Sequence, residues 1–264
     1  MSAEIWRYDG SVWALAALVL RSYEEGRTPN LVSNAVRFGS EAELWSAPEA
    51  VEDGSLSSNE PSRGDEKDGQ RLLSLSPRLY AATLRAWMSE EGVEAELLEL
   101  AADFRARGEP AFSDYSRPSL RLLAGAIHRV IREVDRLEGF ARFSPRHDPL
   151  IREERFVALL EPDHNVLPAM GLFFLRRFQG TPFALVDLKR DYALASRSGG
   201  LEFRGSEELA ALEPDGSDAE ETGLWLRYFR ATENPARKNP RLQRALMPRR
   251  YWDHIVEMEP VQEN

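Results

Sequence analysis

The order of apolar patterns between Arg155 and Ser198 narrows the fold more than any other stretch of this chain. "RFVALLEP", Arg155 to Pro162, is short and apolar, as a largely buried strand requires. In "EPDHNVLPAMGLFFLRRF", Glu161 to Phe178, the residues Leu167, Met170, Gly171, Phe174 and Phe178 recur at helical spacing. That spacing predicts a helix with one core-facing stripe. Pro168 falls in its first turn, where proline is tolerated, and Arg176 and Arg177 fall at its C-terminal end, where cations are favoured. "TPFALVDLKRDYALASRS" then gives two strands with a turn near Lys189–Asp191, like a hairpin.

The flanking sequence adds helices to this strand cluster. "EIWRYDGSVWALAALVLRSYEEG" predicts a short strand, a turn at Asp9–Gly10 and a helix with Ser11 as N-cap and Gly26 at its exit. Two helices are predicted between Ser76 and Gly108, the first capped by Ser76 with Pro77 in its first position, with a break at Glu91–Gly92. A long helix is expected from about Ser119 to Leu137, with Leu120, Leu123, Ala124, Ile127, Ile131 and Val134 on its apolar face. Gly139 is expected to close it, and "FARF", Phe140 to Phe143, to open a strand. "GLEFRG" is a further strand, and the tail holds three helical pieces. Helices around a group of short strands predict an α+β fold with a small, mostly antiparallel sheet and a helical C-terminal segment. The expectation is a single domain over residues 1–264, with a mobile acidic insertion at about 46–70. That insertion is rich in Ser, Gly, Pro and acids and nearly free of large apolar residues.

Composition bounds the chemistry. The 264 residues include no cysteine. Disulfides, thiolate zinc sites, a cysteine nucleophile and an iron–sulfur cluster on this chain's own thiolates are therefore excluded, and no cofactor is expected in this chain. No apolar run approaches the roughly 18 residues of a membrane span, and "MSAEIWRYDG" lacks the features of a secretory signal. No membrane association and a cytoplasmic location are expected.

The formal net charge of −10 is unevenly spread. Residues 41–68 carry a net −7, whereas residues 227–254 carry a net +6. An acidic average thus hides a basic C-terminal segment, and a polyanion responds to the local field. "RATENPARKNPRLQRALMPRRYWDH" combines Arg237, Lys238, Arg241, Arg244, Arg249 and Arg250 with Tyr251 and Trp252. Cations for phosphates and aromatics for stacking are what a nucleic-acid surface needs. Trp252, Ile255 and Val256 also fit a core stripe, so the tryptophan has a packing explanation.

The junction before the Leu167 helix holds the candidate chemistry. Asp163 and Asn165 have the residue types of an N-cap. A cap does not need imidazole, so His164 is the candidate general acid/base, with Asp163 or Glu161 to orient it and Asp187 nearby. The other histidines, His128, His147 and His254, show no metal-binding spacing with it. No phosphate-binding glycine loop or nucleophile elbow is present.

Four motifs in order carry a resemblance. They are "YDGSVWALAALVLRSYE", "EGFARF" at 138–143, "EPDHNVL…FFLRRF" at 161–178 and "RKNPRLQ…MPRRYW" at 237–252. Over nearly the whole chain apart from the insertion, the sequence resembles a bacterial family of DNA-metabolism proteins of unknown biochemical role. Members are typically encoded beside a radical-SAM protein of DNA modification or repair, and some are joined to a uracil-DNA-glycosylase-like domain. The matching positions are Gly139, Phe140, Arg142 and Phe143; Pro162, His164, Val166 and Leu167; and Arg237, Asn239, Gln243, Met247, Pro248, Tyr251 and Trp252. Asp135 and Phe173 stand where the family usually carries histidine, which argues against shared metal chemistry.

The resemblance implies a DNA-binding accessory protein that works with a radical-SAM partner. Arg142, Arg237, Lys238, Arg249 and Arg250 would then contact phosphates. Two other readings of the residues stay open: an enzyme acting on DNA or a nucleotide through His164 and Asp163, and a protein–protein scaffold without DNA contact.

Overall fold

The computed structural model describes residues 5–29, 31–34, 64–197 and 200–212, together with 223, 226, 227, 231, 241, 247, 251 and 252. The chain divides into two compact units, Met1–Arg132 and Glu133–Asn264.

The first unit begins with β1 (Ile5–Tyr8), α1 (Val12–Glu25) and β2 (Leu31–Asn34), and β1 and β2 pair in parallel. The predicted caps are present. Ser11 accepts the Ala14 N–H, and Gly26 ends the helix at φ 66°. The next helices are α2 (Glu66–Leu75), α3 (Pro77–Ser89) and α4 (Glu94–Arg107). Ser76 accepts the Leu79 N–H at the start of α3, and Glu90 breaks the chain at φ 57°. Leu15, Leu18, Leu97 and Leu98 are fully buried where α1 packs on α4. Of the expected insertion at 46–70, residues 46–63 lie outside the described residues, and its last residues begin helix α2. Asp65 accepts the Lys67 and Asp68 N–H groups while Asp68 accepts the Asp65 N–H, a capping box that starts α2.

Helix α5 runs from Pro118 to Phe140, and the boundary between the units falls within it. Two expectations about it are corrected. Gly139 does not close the helix but lies inside it, and "FARF" does not start a strand. The Ala141 N–H still reaches the Leu137 carbonyl, and the Arg142 guanidinium donates to the Gly139 and Ala141 carbonyls. The ending is therefore made by a side chain rather than by a left-handed glycine. The buried stripe is also rotated from the expected one. Leu123, Ala126, Val130, Glu133 and Leu137 are buried, whereas Ile127, Ile131 and Val134 are only half-buried. With Leu120, which is buried as expected, five apolar residues and one glutamate thus lie on the buried face of the helix.

The second unit is built on β3 (Ser144–Asp148), β4 (Glu153–Leu160), α6 (Leu167–Phe178), β5 (Phe183–Asp187), β6 (Tyr192–Arg197), β7 (Gly200–Gly205) and α7 (Ser206–Ala210). The strands form one sheet in the order β3-β4-β5-β6-β7. All neighbours are antiparallel except β4 and β5. That pair is parallel because α6 carries the chain back across the sheet between them. The fold is α+β with a mostly antiparallel sheet, as expected.

Alternation along β5 turns Phe183 and Leu185 to one face and Ala184 and Val186 to the other. On the first face, the Phe174 and Phe178 rings meet Phe183 at 6.3 and 5.2 Å. Gly171 lets α6 lie close, because a Cβ there would run into Leu194. Phe143 packs on Phe174 and Phe178, each at 4.9 Å, so this half-buried aromatic of the "EGFARF" motif lies against the core. On the second face, Leu209 of α7 packs with Val157, Ala184, Val186, Ala193 and Ala195.

The same face buries an ion pair. Arg155 is 0% exposed and donates to Asp148 at 2.7 Å and to the Phe183 and Ser196 carbonyls at 3.1 Å. Burial by itself would raise the Asp148 carboxyl. The Leu150 N–H and the Arg155 guanidinium outweigh it and hold the group below its ordinary value.

The three helical pieces expected in the tail fall mostly outside the described residues. Among the described residues no helix is long and apolar enough to cross a membrane.

Candidate functional site

Strands β4 and β5 run side by side in parallel, with Leu160 level with Asp187. Their carboxyl ends therefore open at the same end of the sheet. The Leu188 N–H bonds to the Leu160 carbonyl at 2.9 Å and joins the two exits. Segment 161–166 leaves β4 there and turns into α6, and the polar turn 188–191 leaves β5 beside it. Side-chain chemistry gathers where parallel strands end, because loops at that end are fixed by the sheet yet open to a ligand.

Glu133 organises this corner from within α5. It is 3% exposed. Its Oε1 accepts the Asp163 N–H and its Oε2 the His164 N–H, both at 2.8 Å. The Tyr251 hydroxyl also donates to Oε1. One buried carboxylate thus holds two successive backbone N–H groups of the β4–α6 junction and a phenol from the C-terminal tail. Charged acceptors make the stronger hydrogen bonds, and a buried donor left without one is costly.

A second carboxylate fixes the other side. Asp187 is 0% exposed, and its Oδ1 accepts the Lys189 and Arg190 N–H groups at 3.0 Å. Its Oδ2 accepts from the Arg190 guanidinium at 2.7 Å. Burial pushes the Asp187 carboxyl up, and Arg190 pulls against that shift. Arg190 also donates to the Pro162 and Asp163 carbonyls at 3.2 and 2.7 Å, and Lys189 Nζ donates to the Asp163 carbonyl at 3.0 Å. The backbone around Asp163 is therefore held by its N–H at Glu133 and by its C=O at the Asp187–Arg190 turn.

The predicted residues take up unequal roles in this arrangement. His164 is half-buried at the corner, and Pro162 is buried beside it. Asp163 contributes its backbone to these contacts while its residue as a whole is exposed. The expected cap by Asp163 or Asn165 is not made. Val166 is the N-cap of α6, with no side-chain cap bond. The Asn165 side chain is engaged elsewhere, and the Ala169 N–H in the first turn of α6 bonds to the Val166 carbonyl at 3.1 Å instead. Asn165 is 1% exposed, and its Oδ1 accepts the Tyr192 hydroxyl. Its Nδ2 has no hydrogen-bond partner among the described residues.

Arg142 donates to the end of α5, and Gly139 lies in that helix. Tyr251 is 3% exposed at Glu133, and the half-buried Trp252 donates its indole N–H to the Met247 carbonyl at 3.1 Å. Arg237, Lys238, Asn239, Gln243, Pro248, Arg249 and Arg250 lie outside the described residues. No group of three or more histidine and acidic side chains is placed to hold a metal ion among the described residues.

Sequence reasoning missed Glu133 and Tyr192. A glutamate in a charged helix reads as solvent-facing. The signal that would have exposed it is its spacing from Val130 and Leu137, three and four residues away along the buried stripe.

No curated protein and no solved structure matches the chain. Residues 91–257 match the model of a domain of unknown function, DUF4130. This matched region contains every residue of the corner and the whole basic segment 227–254, and the chain belongs to that family.

Proposed function

We propose that this protein is a DNA-binding accessory factor of DNA modification or repair that acts with a radical-SAM partner. The observation that carries the reading is the shared carboxylate of Glu133, on which the Tyr251 hydroxyl and the Asp163 and His164 N–H groups meet. It ties the last motif of the basic tail to the loop that holds His164. Arg249 and Arg250 immediately precede Tyr251 in the chain, and Arg237 and Lys238 lie in the same basic segment. A positive segment anchored beside a loop at the ends of the sheet's strands is suited to a polyanion. The partner enters through the family resemblance. It would supply the radical chemistry, because this chain has no cysteine to bind a cluster.

Reversing Arg237, Arg249 and Arg250 to glutamate tests the reading. Each lost phosphate contact flattens the plot of log affinity against log salt by about 0.9 for duplex DNA. Fluorescence anisotropy with a labelled duplex is expected to show steep salt dependence for the natural protein and a slope shallower by between about 2 and 3 for the triple variant. Equal affinity and equal slope at low salt would remove DNA binding from the account.

A further inference from the structure

We propose that Lys189 is a phosphate-contacting residue of the β4–α6 corner, so that a nucleic-acid backbone crosses the carboxyl ends of β4 and β5. This rests on the DNA-binding reading above and adds a contact on the sheet rather than on the tail.

The geometry separates Lys189 from its neighbour. The Arg190 side chain is only 5% exposed and is spent on Asp187 and two backbone carbonyls. Lys189 is exposed, and no acidic side chain pairs with it among the described residues. Its ammonium has three protons, and the structure gives one acceptor for them, the Asp163 carbonyl at 3.0 Å. The rest of the ammonium is available to an incoming anion.

Lys189 is also held at both ends. Its backbone N–H is fixed by the buried Asp187, and its tip by Asp163. A long side chain placed in this way loses less freedom on binding than a free surface lysine does.

The surroundings favour an anion on balance of position. The N-terminus of α6 follows three residues after His164 and has no side-chain cap bond, which leaves its partial positive charge unneutralised by a capping carboxylate. Asn165, directly before the N-cap, keeps a buried amide nitrogen without a partner. Its amide can satisfy only one of its two polar atoms on the Tyr192 hydroxyl, whichever way it is turned. Against these stand the exposed residues Glu161 and Asp163 on the same loop, so a phosphate here is drawn by Lys189 and repelled by Asp163. That opposition supplies the test.

Anisotropy titrations with a fluorescein-labelled DNA duplex compare the natural protein with Lys189→Met, Lys189→Arg and Asp163→Asn. Lys189→Met is expected to weaken binding on the order of fivefold near 0.1 M salt and to flatten the salt slope by about 0.9. Lys189→Arg is expected to restore both. Asp163→Asn is expected to tighten binding about twofold, the opposite sign, as removal of a nearby charge in water requires. If the natural protein binds with salt sensitivity and Lys189→Met matches it in affinity and slope, the Lys189 contact is overturned while DNA binding stands. A weakening by Asp163→Asn as large as that by Lys189→Met would also overturn it, because both changes would then act only through the loop's conformation. If the natural protein shows no salt-sensitive binding, the DNA reading itself fails and the contact falls with it.

Discussion

Asp148→Ala is expected to destabilise the protein by about 3–5 kcal/mol, the cost of removing one partner from a buried ion pair. Arg155 is 0% exposed and its Nε reaches Asp148 at 2.7 Å. Without the carboxylate, a guanidinium stays in the core with only the Phe183 and Ser196 carbonyls to bond. The pair joins β3 to β4 and borders β5, so the loss falls on the sheet that carries the corner. The measurement is the urea midpoint of the transition that includes the second unit, at constant m-value. A change below about 1 kcal/mol would place the pair with exposed salt bridges instead. Asp148→Leu combined with Arg155→Met removes both charges and is expected to recover part of the loss.

The same pair gives a pH dependence. Asp148 titrates below its ordinary value of 3.8 in the folded protein. Its contribution is therefore fully present above that value and is lost as the pH falls through the folded value. The acid limb of the stability profile is expected to shrink in the double variant.

Glu133→Ala is the second large effect. The substitution strips the acceptor from the Asp163 and His164 N–H groups and from the Tyr251 hydroxyl. A donor left unpaired costs about 1–3 kcal/mol when fully buried and less when part-buried, as the two amides are, so a loss of roughly 3 kcal/mol is expected. Global stability alone does not locate the effect. Amide exchange does, and Asp163 and His164 are expected to exchange about tenfold faster or more in the variant under native conditions. Unchanged rates at those two amides would mean that Glu133 does not hold the junction.

These two carboxylates also mark what the sequence conveys and what it withholds. The caps of α1 and α3 are legible because Ser11 and Ser76 bond three residues ahead, within one turn. The strand, helix and hairpin from β4 to β6 are legible because period alone distinguishes them. The cap of α6 is misread for the opposite reason. The partner of the Asp163 N–H is thirty residues upstream in α5, and the Asn165 side chain is drawn to Tyr192 in β6, so neither residue caps the first turn of α6 as local rules would have it. Gly139 misleads in the same way, since Arg142 rather than glycine ends α5. His164 lies in the loop between β4 and α6, as the strand and helix patterns on either side of it predict. The partners that fix its loop, Glu133, Asp187 and Arg190, are brought in by tertiary packing and have no short-range signature.

We propose that the β4–α6 corner and the basic tail present one surface to DNA. Hydrogen exchange of the full chain with and without a saturating DNA duplex tests it most directly. Slower exchange on DNA addition is expected in both 161–166 and 237–252, lost together in high salt. Protection confined to other segments, or none in either of these two, would contradict it.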